Sequence, residues 1–160
     1  IDRIDPCVAA EAFIAATGAN ITVAGERAFY NRTTDSITMP DRHRFVGTKT
    51  STATEGGYAT LVHELTHWSG AETRCARTFG ERFGDDAYAM EEMVAELGAA
   101  FLCGDLGITA EPRADHADYV GHWLRILKGD RKAIFTAASA ANKAAEYLKS
   151  IAQIEQREAA

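Results

Sequence analysis

The amino-acid sequence predicts a single α+β domain, with short strands early in the chain and helices in the rest of it. Three short runs rich in β-branched and aromatic residues precede a polar loop, and four long segments with a helical spacing of apolar residues follow that loop. The length of 160 residues suits one domain with its own hydrophobic core. A hydrophobic fraction of 46% and a charged fraction of 25% exclude a disordered or fibrous chain.

The spacing of apolar residues and the residues that stop each segment predict the order of the elements. A first helix covers 7–17 and ends at Gly18. Pro40 stops the last of three predicted strands, which lie at 20–23, 27–30 and 36–39. After the polar loop at 41–54, further helices are predicted at 55–69, 86–103, 114–128 and 131–152.

The charge and the cysteine content limit the classes of binding partner and the cellular compartment that we expect for this domain. The chain carries 17 basic and 23 acidic side chains, a net charge of −6, so we expect this domain alone to bind neither nucleic acid nor an anionic membrane. Three widely spaced cysteines favour a reducing compartment, the cytoplasm. No apolar run approaches the roughly 18 residues of a membrane span. Because the first residue is Ile1 rather than methionine, we expect residues 1–160 to be the C-terminal domain of a longer polypeptide.

Helix 55–69 contains the motif His63-Glu64-x-x-His67, which places two imidazoles one turn apart on one helix face. Imidazoles at this spacing can bind one zinc ion, and the glutamate beside the first can accept a proton from the attacking water. Thr52 and Glu55 form a capping-box pattern at the start of the helix. The motif points away from the core-facing stripe, which consists of Tyr58, Leu61, Val62, Leu65 and Trp68. Two solvated surface histidines are the alternative.

Helix 86–103 supplies the third protein ligand that a catalytic zinc site needs. Glu92 and Glu96 lie one turn apart, opposite the apolar stripe, and small apolar residues flank them, so this face must pack against another element. Buried carboxylates need a cation or strong hydrogen bonds. We predict Glu92 as the ligand and Glu96 as the acceptor that orients a ligating histidine, with the reverse assignment or simple pairing with arginines as alternatives. Glu91 is predicted to be a surface acid.

The His-Glu-x-x-His motif is typical of metallopeptidases, and peptide-bond hydrolysis would also need a donor to the developing oxyanion and a strand edge along which a peptide can extend. His116, Tyr119 and Tyr88 are the candidate donors, and a purely structural role is the alternative for each. The strand at 36–39 leads into the loop before the motif helix. We expect this strand to be the sheet edge, with an internal position as the alternative.

Several strings around these residues resemble the zincin-like metallopeptidase domain of ArdC-type antirestriction proteins and the C-terminal parts of TraC-like primases. The resemblance covers most of the chain and is far more specific than the His-Glu-x-x-His pentapeptide alone. The strings are FVGTKTS at 45–51, YATLVHELTHW at 58–68, FGDDAY at 83–88, EEMVAELGAAFL at 91–102 and PRADH at 112–116.

The resemblance implies a fold in which the His-Glu-x-x-His helix faces a glutamate-bearing helix behind a small N-terminal sheet. It also implies a zinc-dependent metallopeptidase that hydrolyses a protein or peptide substrate in the bacterial cytoplasm, within an antirestriction protein that protects incoming plasmid DNA. The alternative is a non-proteolytic binding module on a zinc-stabilised scaffold that blocks a host restriction protein. Members of the family usually carry an N-terminal domain that binds single-stranded DNA, and no such segment is expected within these 160 residues.

Overall fold

The computed structural model describes residues 7–79, 86–109 and 117–159, which form a small sheet beside a group of helices. The predicted α+β class is confirmed, and the elements follow the predicted order. They are α1 (Val8–Thr17), β1 (Asn20–Val23), β2 (Phe29–Asn31), β3 (Ser36–Met39), a 3-10 turn (Arg42–Arg44), α2 (Ala53–Ser69), α3 (Asp86–Leu106), α4 (Ala117–Gly129) and α5 (Ala133–Ala159). Among the described residues, no helix combines the length and the apolar character needed to cross a membrane.

The sheet has three strands in the order β1-β3-β2. Strand β3 pairs in parallel with β1 and antiparallel with β2, with Ile37 opposite both Ile21 and Tyr30. The prediction that the strand at 36–39 forms the sheet edge is therefore wrong, and its alternative, the internal position, is correct. The burial pattern gives the physical reason, because Ile37 and Met39 are buried in β3 whereas β1 is mostly exposed.

The hydrophobic core lies where the sheet, α1, α2, α3 and α5 meet, and it includes five completely or almost completely buried side chains: Ile37, Val62, Leu65, Leu102 and Leu148. A smaller apolar cluster joins α3 to α5 through Met93, Val94, Ala137 and Ala141. Phe101 of α3 is 38% exposed. The last turns of α3 bury a different side, which carries Ala99, Leu102 and Cys103.

Local interactions determine both ends of α2. At its start, the hydroxyl of Thr52 accepts a hydrogen bond from the backbone N–H of Glu55 at 3.1 Å, and the Glu55 carboxylate accepts one from the backbone of Thr52 at 3.1 Å. The predicted capping box is confirmed. At its end, a Cβ atom at Gly70 would lie 2.7 Å from both Arg77 and Phe79. Glycine therefore allows the following loop to fold back onto the helix.

The ends of the later helices differ from the predicted ones. Helix α3 continues past Gly104 to Leu106, and Gly107 follows it with a positive φ of 72°. A left-handed residue is what commonly ends a helix, and glycine adopts this conformation without a steric cost. Helix α5 extends to Ala159 rather than ending at 152.

Helices α2 and α3 pack closely because a glycine of one faces a threonine of the other. A Cβ atom at Gly98 would lie 2.6 Å from Cγ2 and 2.9 Å from Oγ1 of Thr66. Thr66 is fully buried and donates a hydrogen bond to the backbone oxygen of Val62 at 2.8 Å, so its side chain has no free space to move into. The absent side chain at position 98 therefore determines the separation of the two helices.

We expect Gly98→Ala to lower the free energy of unfolding by about 1–3 kcal/mol, because the added methyl group overlaps Thr66 in a well-packed contact. Urea denaturation followed by circular dichroism would measure the change. Gly104→Ala in the same helix is the matched control, since a Cβ atom there meets nothing within 4 Å. The control should be neutral or should stabilise the protein by up to about 1 kcal/mol, because alanine is the better helix former. Equal effects of the two substitutions would contradict this account of the contact.

Candidate metal centre

The His-Glu-x-x-His motif lies on the face of α2 that packs against α3. His63, Glu64 and His67 are 2%, 4% and 8% exposed, so the alternative of two solvated surface histidines is wrong. The two imidazole rings lie edge to face, with their centroids 4.9 Å apart. This arrangement follows from the four-residue spacing, which stacks the side chains one helical turn apart.

Glu92 of α3 lies opposite both imidazoles. Its Oε1 atom is 3.0 Å from Nε2 of His67, and its Oε2 atom is 3.4 Å from Nε2 of His63. One ligand atom from each of the three residues lies within 4.8 Å of the others. Two imidazole nitrogens and one carboxylate, all buried, are a donor set that suits a divalent metal ion with a remaining open coordination position. The structure thus brings together the residues that the sequence analysis predicts as ligands.

The electrostatics of this cluster fit the same conclusion. Burial alone would lower the pKa of His67, but the Glu91 and Glu92 carboxylates outweigh burial and raise it. Burial would likewise raise the pKa of Glu92, and the two imidazoles instead hold it well below its ordinary value. The carboxylates therefore favour the protonated, positively charged form of the imidazoles, and a divalent cation would provide the same compensating charge.

Glu96 lies on the far side of the His63 ring, away from the converging Nε2 atoms. Its Oε1 atom is 2.5 Å from Nδ1 of His63. A carboxylate in this position accepts the ring N–H and leaves the Nε2 lone pair directed towards Glu92. Glu92 thus lies at the Nε2 atoms of both rings, and Glu96 lies at the Nδ1 atom of His63.

Glu91 occupies the equivalent position on the other imidazole, and the prediction of a surface acid is wrong. It is 5% exposed, and its Oε1 atom lies 3.2 Å from Nδ1 of His67. Arg77 compensates its buried charge, with Nε 2.9 Å from one carboxylate oxygen and Nη2 2.8 Å from the other. Helical spacing could not show this role, because Arg77 comes from the loop after α2.

Arg77 also ties this cluster to the last turn of α2. It donates hydrogen bonds to the backbone oxygen of Thr66 at 2.5 Å and to the hydroxyl of Ser69 at 3.0 Å. Its side chain is only 11% exposed. The loop that follows α2 therefore supplies a buried cation that supports both helices of the site.

A cavity of about 440 Å³ opens above the three converging side chains. Glu64 and the predicted donor Tyr88 line it, together with the aromatic rings of Phe29, Phe45 and Phe79. No protein group among the described residues forms a hydrogen bond with the Glu64 carboxylate. Of the other two predicted donors, His116 lies outside the described residues. Tyr119 lies in α4, and its side chain is outside the described part of the structure.

The strand edge beside this cavity belongs to β2 rather than to β3. Residues on both sides of Tyr30 line the cavity, and β2 pairs within the sheet with β3 alone. A polar cluster fixes the β2–β3 hairpin to the end of α2. Tyr30 donates a hydrogen bond to the Asp35 carboxylate at 2.7 Å, and Arg74 binds the same carboxylate. The guanidinium group of Arg74 lies 3.9 Å from the centre of the Trp68 ring. The edge strand is therefore held in a defined position relative to the motif helix.

A helix with His-Glu-x-x-His that faces a glutamate-bearing helix, next to a small sheet with a free edge, is the architecture of a zincin-like domain. A family model described as a zincin-like metallopeptidase (MPTase-PolyVal) matches residues 8–140. The chain therefore belongs to the zincin-like metallopeptidase family, as its sequence strings indicate.

Two curated relatives place this domain within longer proteins. The uncharacterized protein y4eC of Sinorhizobium fredii (strain NBRC 101917 / NGR234) is 43% identical over 139 residues, and the match covers 87% of this chain and 43% of that protein. DNA primase TraC of Escherichia coli is 40% identical over 145 residues, which cover 90% of this chain and 10% of the primase. The chain thus spans less than half of either relative.

Two crystal structures share the fold. The metal-free structure of the antirestriction protein ArdC from plasmid R388 has a TM-score of 0.78 and 42% identity, over 93% of this chain and 52% of that one. The Mn(II)-bound structure of the same protein has a TM-score of 0.77 and 40% identity, over 92% of this chain and 53% of that one. A relative with this fold therefore binds a divalent metal ion.

We expect Arg77→Met to weaken metal binding about 10- to 100-fold, because Glu91 loses the cation that fixes it beside His67. The substitution should also lower the free energy of unfolding by about 3 kcal/mol, since it leaves a buried carboxylate unpaired. Competition with a chromophoric chelator would give the affinity for zinc or manganese, and urea denaturation the stability. Arg131→Met, an exposed arginine in the turn before α5, is the matched control and should change neither quantity. Unchanged metal affinity in Arg77→Met would show that Arg77 does not support the site.

We expect the hairpin cluster to give the protein an alkaline stability transition. Burial and the Asp35 carboxylate raise the pKa of Tyr30 to about 12, so the folded state favours the neutral phenol. This contribution is complete below the ordinary tyrosine pKa of about 10 and is lost as the pH rises towards the folded value. Because Tyr30 is partly exposed, we expect a loss of about 1 kcal/mol. The difference in unfolding free energy between the wild type and Tyr30→Phe should shrink from pH 9 to 12, and a constant difference would contradict this assignment.

Proposed function

We propose that this domain is a zinc metallopeptidase that hydrolyses peptide bonds, with His63, His67 and Glu92 as metal ligands and Glu64 as the catalytic base. The observation that carries the proposal is the convergence of the two Nε2 atoms and the Glu92 carboxylate beneath a cavity that Glu64 also lines. Two histidines and one glutamate are the protein ligands of many catalytic zinc sites. The manganese-bound relative supports a divalent ion at such a site, and the choice of zinc rests on the nitrogen-rich donor set.

The side chains of the site have separate tasks in this proposal. A bound zinc ion would supply Lewis acidity towards a water molecule and the scissile carbonyl group. Glu64 removes the proton from the attacking water and passes it to the nitrogen of the leaving amine. Glu91 and Glu96 hold the two imidazoles in the tautomer that presents Nε2. Tyr88, at the wall of the cavity, is the candidate donor to the carbonyl oxygen as negative charge develops there.

An extended peptide fits the free edge of β2. Backbone hydrogen bonds along that edge would orient a peptide without regard to its side chains. One of its peptide bonds would then lie opposite the metal-site side chains at the floor of the cavity. The substrate in this proposal is therefore a protein or peptide segment in extended conformation. The net charge of −6 argues against nucleic acid as a ligand of this domain.

The relatives suggest the setting of this activity. Because a solved structure with 42% identity belongs to an antirestriction protein from a plasmid, we propose that the domain is part of an antirestriction protein acting in the bacterial cytoplasm while plasmid DNA enters the cell. In a longer protein of this kind, any binding of single-stranded DNA would belong to a segment other than this domain.

We expect Glu64→Gln to reduce peptidase kcat/KM at least about 100-fold, because the amide cannot accept the proton of the attacking water. Metal content by atomic emission and the thermal midpoint should stay near wild-type values, since the substitution keeps the size of the side chain. Cleavage of a denatured protein mixture, followed by mass spectrometry of new amino termini, would measure the activity. Glu72→Gln, a substitution of an exposed acid on the loop after α2, is the matched control and should leave cleavage unchanged.

The same pair of variants separates proteolysis from a purely binding role. If full protection against restriction in a plasmid-transfer assay requires Glu64, proteolysis is part of the function. If Glu64→Gln protects as well as the wild type, the domain acts as a non-proteolytic binding module. A purified wild-type protein without stoichiometric metal would contradict the proposed site itself.

A further inference from the structure

The acidic residues that line the metal-site cavity are mostly neutralised by partners within the protein. Glu26 pairs with Arg44 at 3.0 Å, and Glu91 pairs with Arg77 at 2.8 Å. Glu92 faces the two imidazoles. The acids at the cavity therefore contribute little uncompensated negative charge, although the chain as a whole is acidic.

Two arginines that line the same cavity, Arg27 and Arg32, have no carboxylate partner among the described residues. Both are exposed to solvent. The other arginines of the N-terminal half and the following loop that are described all form ion pairs with carboxylates: Arg42, Arg44, Arg74 and Arg77. The guanidinium group of Arg32 instead lies 4.9 Å from the centre of the Phe79 ring. Among the described arginines of this part of the chain, the two without a carboxylate partner therefore both line the cavity.

These two arginines lie at the two ends of the free strand edge. Arg27 precedes β2 by two residues, and Arg32 follows its last residue, Asn31. Four residues lie between them, and the five steps from Arg27 to Arg32 correspond to roughly 17 Å of extended chain at about 3.3 Å per residue. A peptide that extends antiparallel or parallel to β2 would therefore pass one arginine at each end, with its central residues above the metal-site side chains.

We propose that the domain selects extended peptide segments with acidic side chains on both sides of the scissile bond, and that Arg27 and Arg32 are the residues that recognise them. This inference rests on the proposed function and names the substrate class of the same site. The spacing of the arginines sets the spacing of the acids at about four to six residues, with uncharged residues between them. Guanidinium groups suit this task because they bind carboxylates through two parallel hydrogen bonds.

The overall charge of −6 does not oppose this selectivity at short range. At physiological ionic strength, charges further away than about 8 Å are largely screened, whereas a substrate carboxylate beside Arg27 or Arg32 is within that distance. Of the acids that line the cavity, Glu64 is the one that forms no hydrogen bond or ion pair with the described residues, and it lies beside the two imidazoles rather than at the ends of β2. The local field along β2 is therefore set by the two arginines.

The test uses the zinc-loaded protein and three peptide libraries. Each library has five central positions randomised over uncharged residues, and the positions on both sides are fixed as Glu, Gln or Lys. Cleavage rates are measured from the appearance of new amino termini, and binding of fluorescent libraries to the Glu64→Gln protein is measured by anisotropy. The variants are Arg27→Gln, Arg32→Gln and their combination, with Arg131→Gln as the control outside the cavity.

We expect the Glu library to be cleaved and bound roughly three- to tenfold better than the Gln library, and the Lys library to be the poorest. The double variant should abolish the difference between the Glu and Gln libraries, and Arg131→Gln should behave as wild type. Raising the salt concentration to about 0.5 M should reduce the preference, because the ion pairs are partly exposed.

Equal rates and equal binding for the Glu and Gln libraries would overturn this inference while the peptidase proposal stands. A preference for the Glu library that survives in the double variant would overturn the assignment to Arg27 and Arg32. If the wild type cleaves none of the libraries, the peptidase proposal fails, and the binding measurements then decide the acidic selectivity by themselves. Arginine-dependent binding of the Glu library would support it, and equal binding of all three libraries would reject it.

Discussion

The close packing of α2 against α3 is the constraint on which the site depends. Metal–ligand bonds of about 2.0–2.2 Å tolerate little error in position, so the backbone separation of the two helices must be fixed before the side chains can converge. The buried contact between Gly98 and Thr66 fixes it, because one partner lacks a side chain and the other cannot move. Glu92, six residues before Gly98 on the same helix, is thereby placed across from the two imidazoles.

Charge compensation extends from the site outward in layers. Each imidazole lies between carboxylates, with Glu92 on one ring nitrogen and Glu91 or Glu96 on the other. Arg77 then balances the most deeply placed of these acids and binds the end of α2. A buried charge is tolerated only with such partners. The loop after α2 is for this reason a structural part of the site rather than a connection.

The features that could be predicted from the sequence are those that depend on neighbouring residues. The capping box, the order of the elements and the position of the His63–His67 pair follow from helical spacing, and the small residues around Glu92 indicate a packed face. The buried position of Glu91 could not be predicted from helical spacing, because its partner Arg77 reaches it through a loop whose path no periodicity describes. The prediction that strand 36–39 forms the sheet edge was wrong for a similar reason. Strand pairing brings together segments that are separate in sequence, and β3 lies between its two neighbours.

The reversal of the chain at Gly70 limits the width of the metal-site cavity, and a change at this position could make the cavity wider in another member of the family. A side chain at this position would collide with Arg77 and Phe79. A homologue with a larger residue here would have to carry its loop along a wider path, which would withdraw the Phe79 ring from the cavity and remove one of its walls. The cavity would then merge with the neighbouring surface hollow that Phe79 also lines. One backbone position thus separates a narrow cleft from a broad one, and the wider loop path would also move Arg77 relative to Glu91.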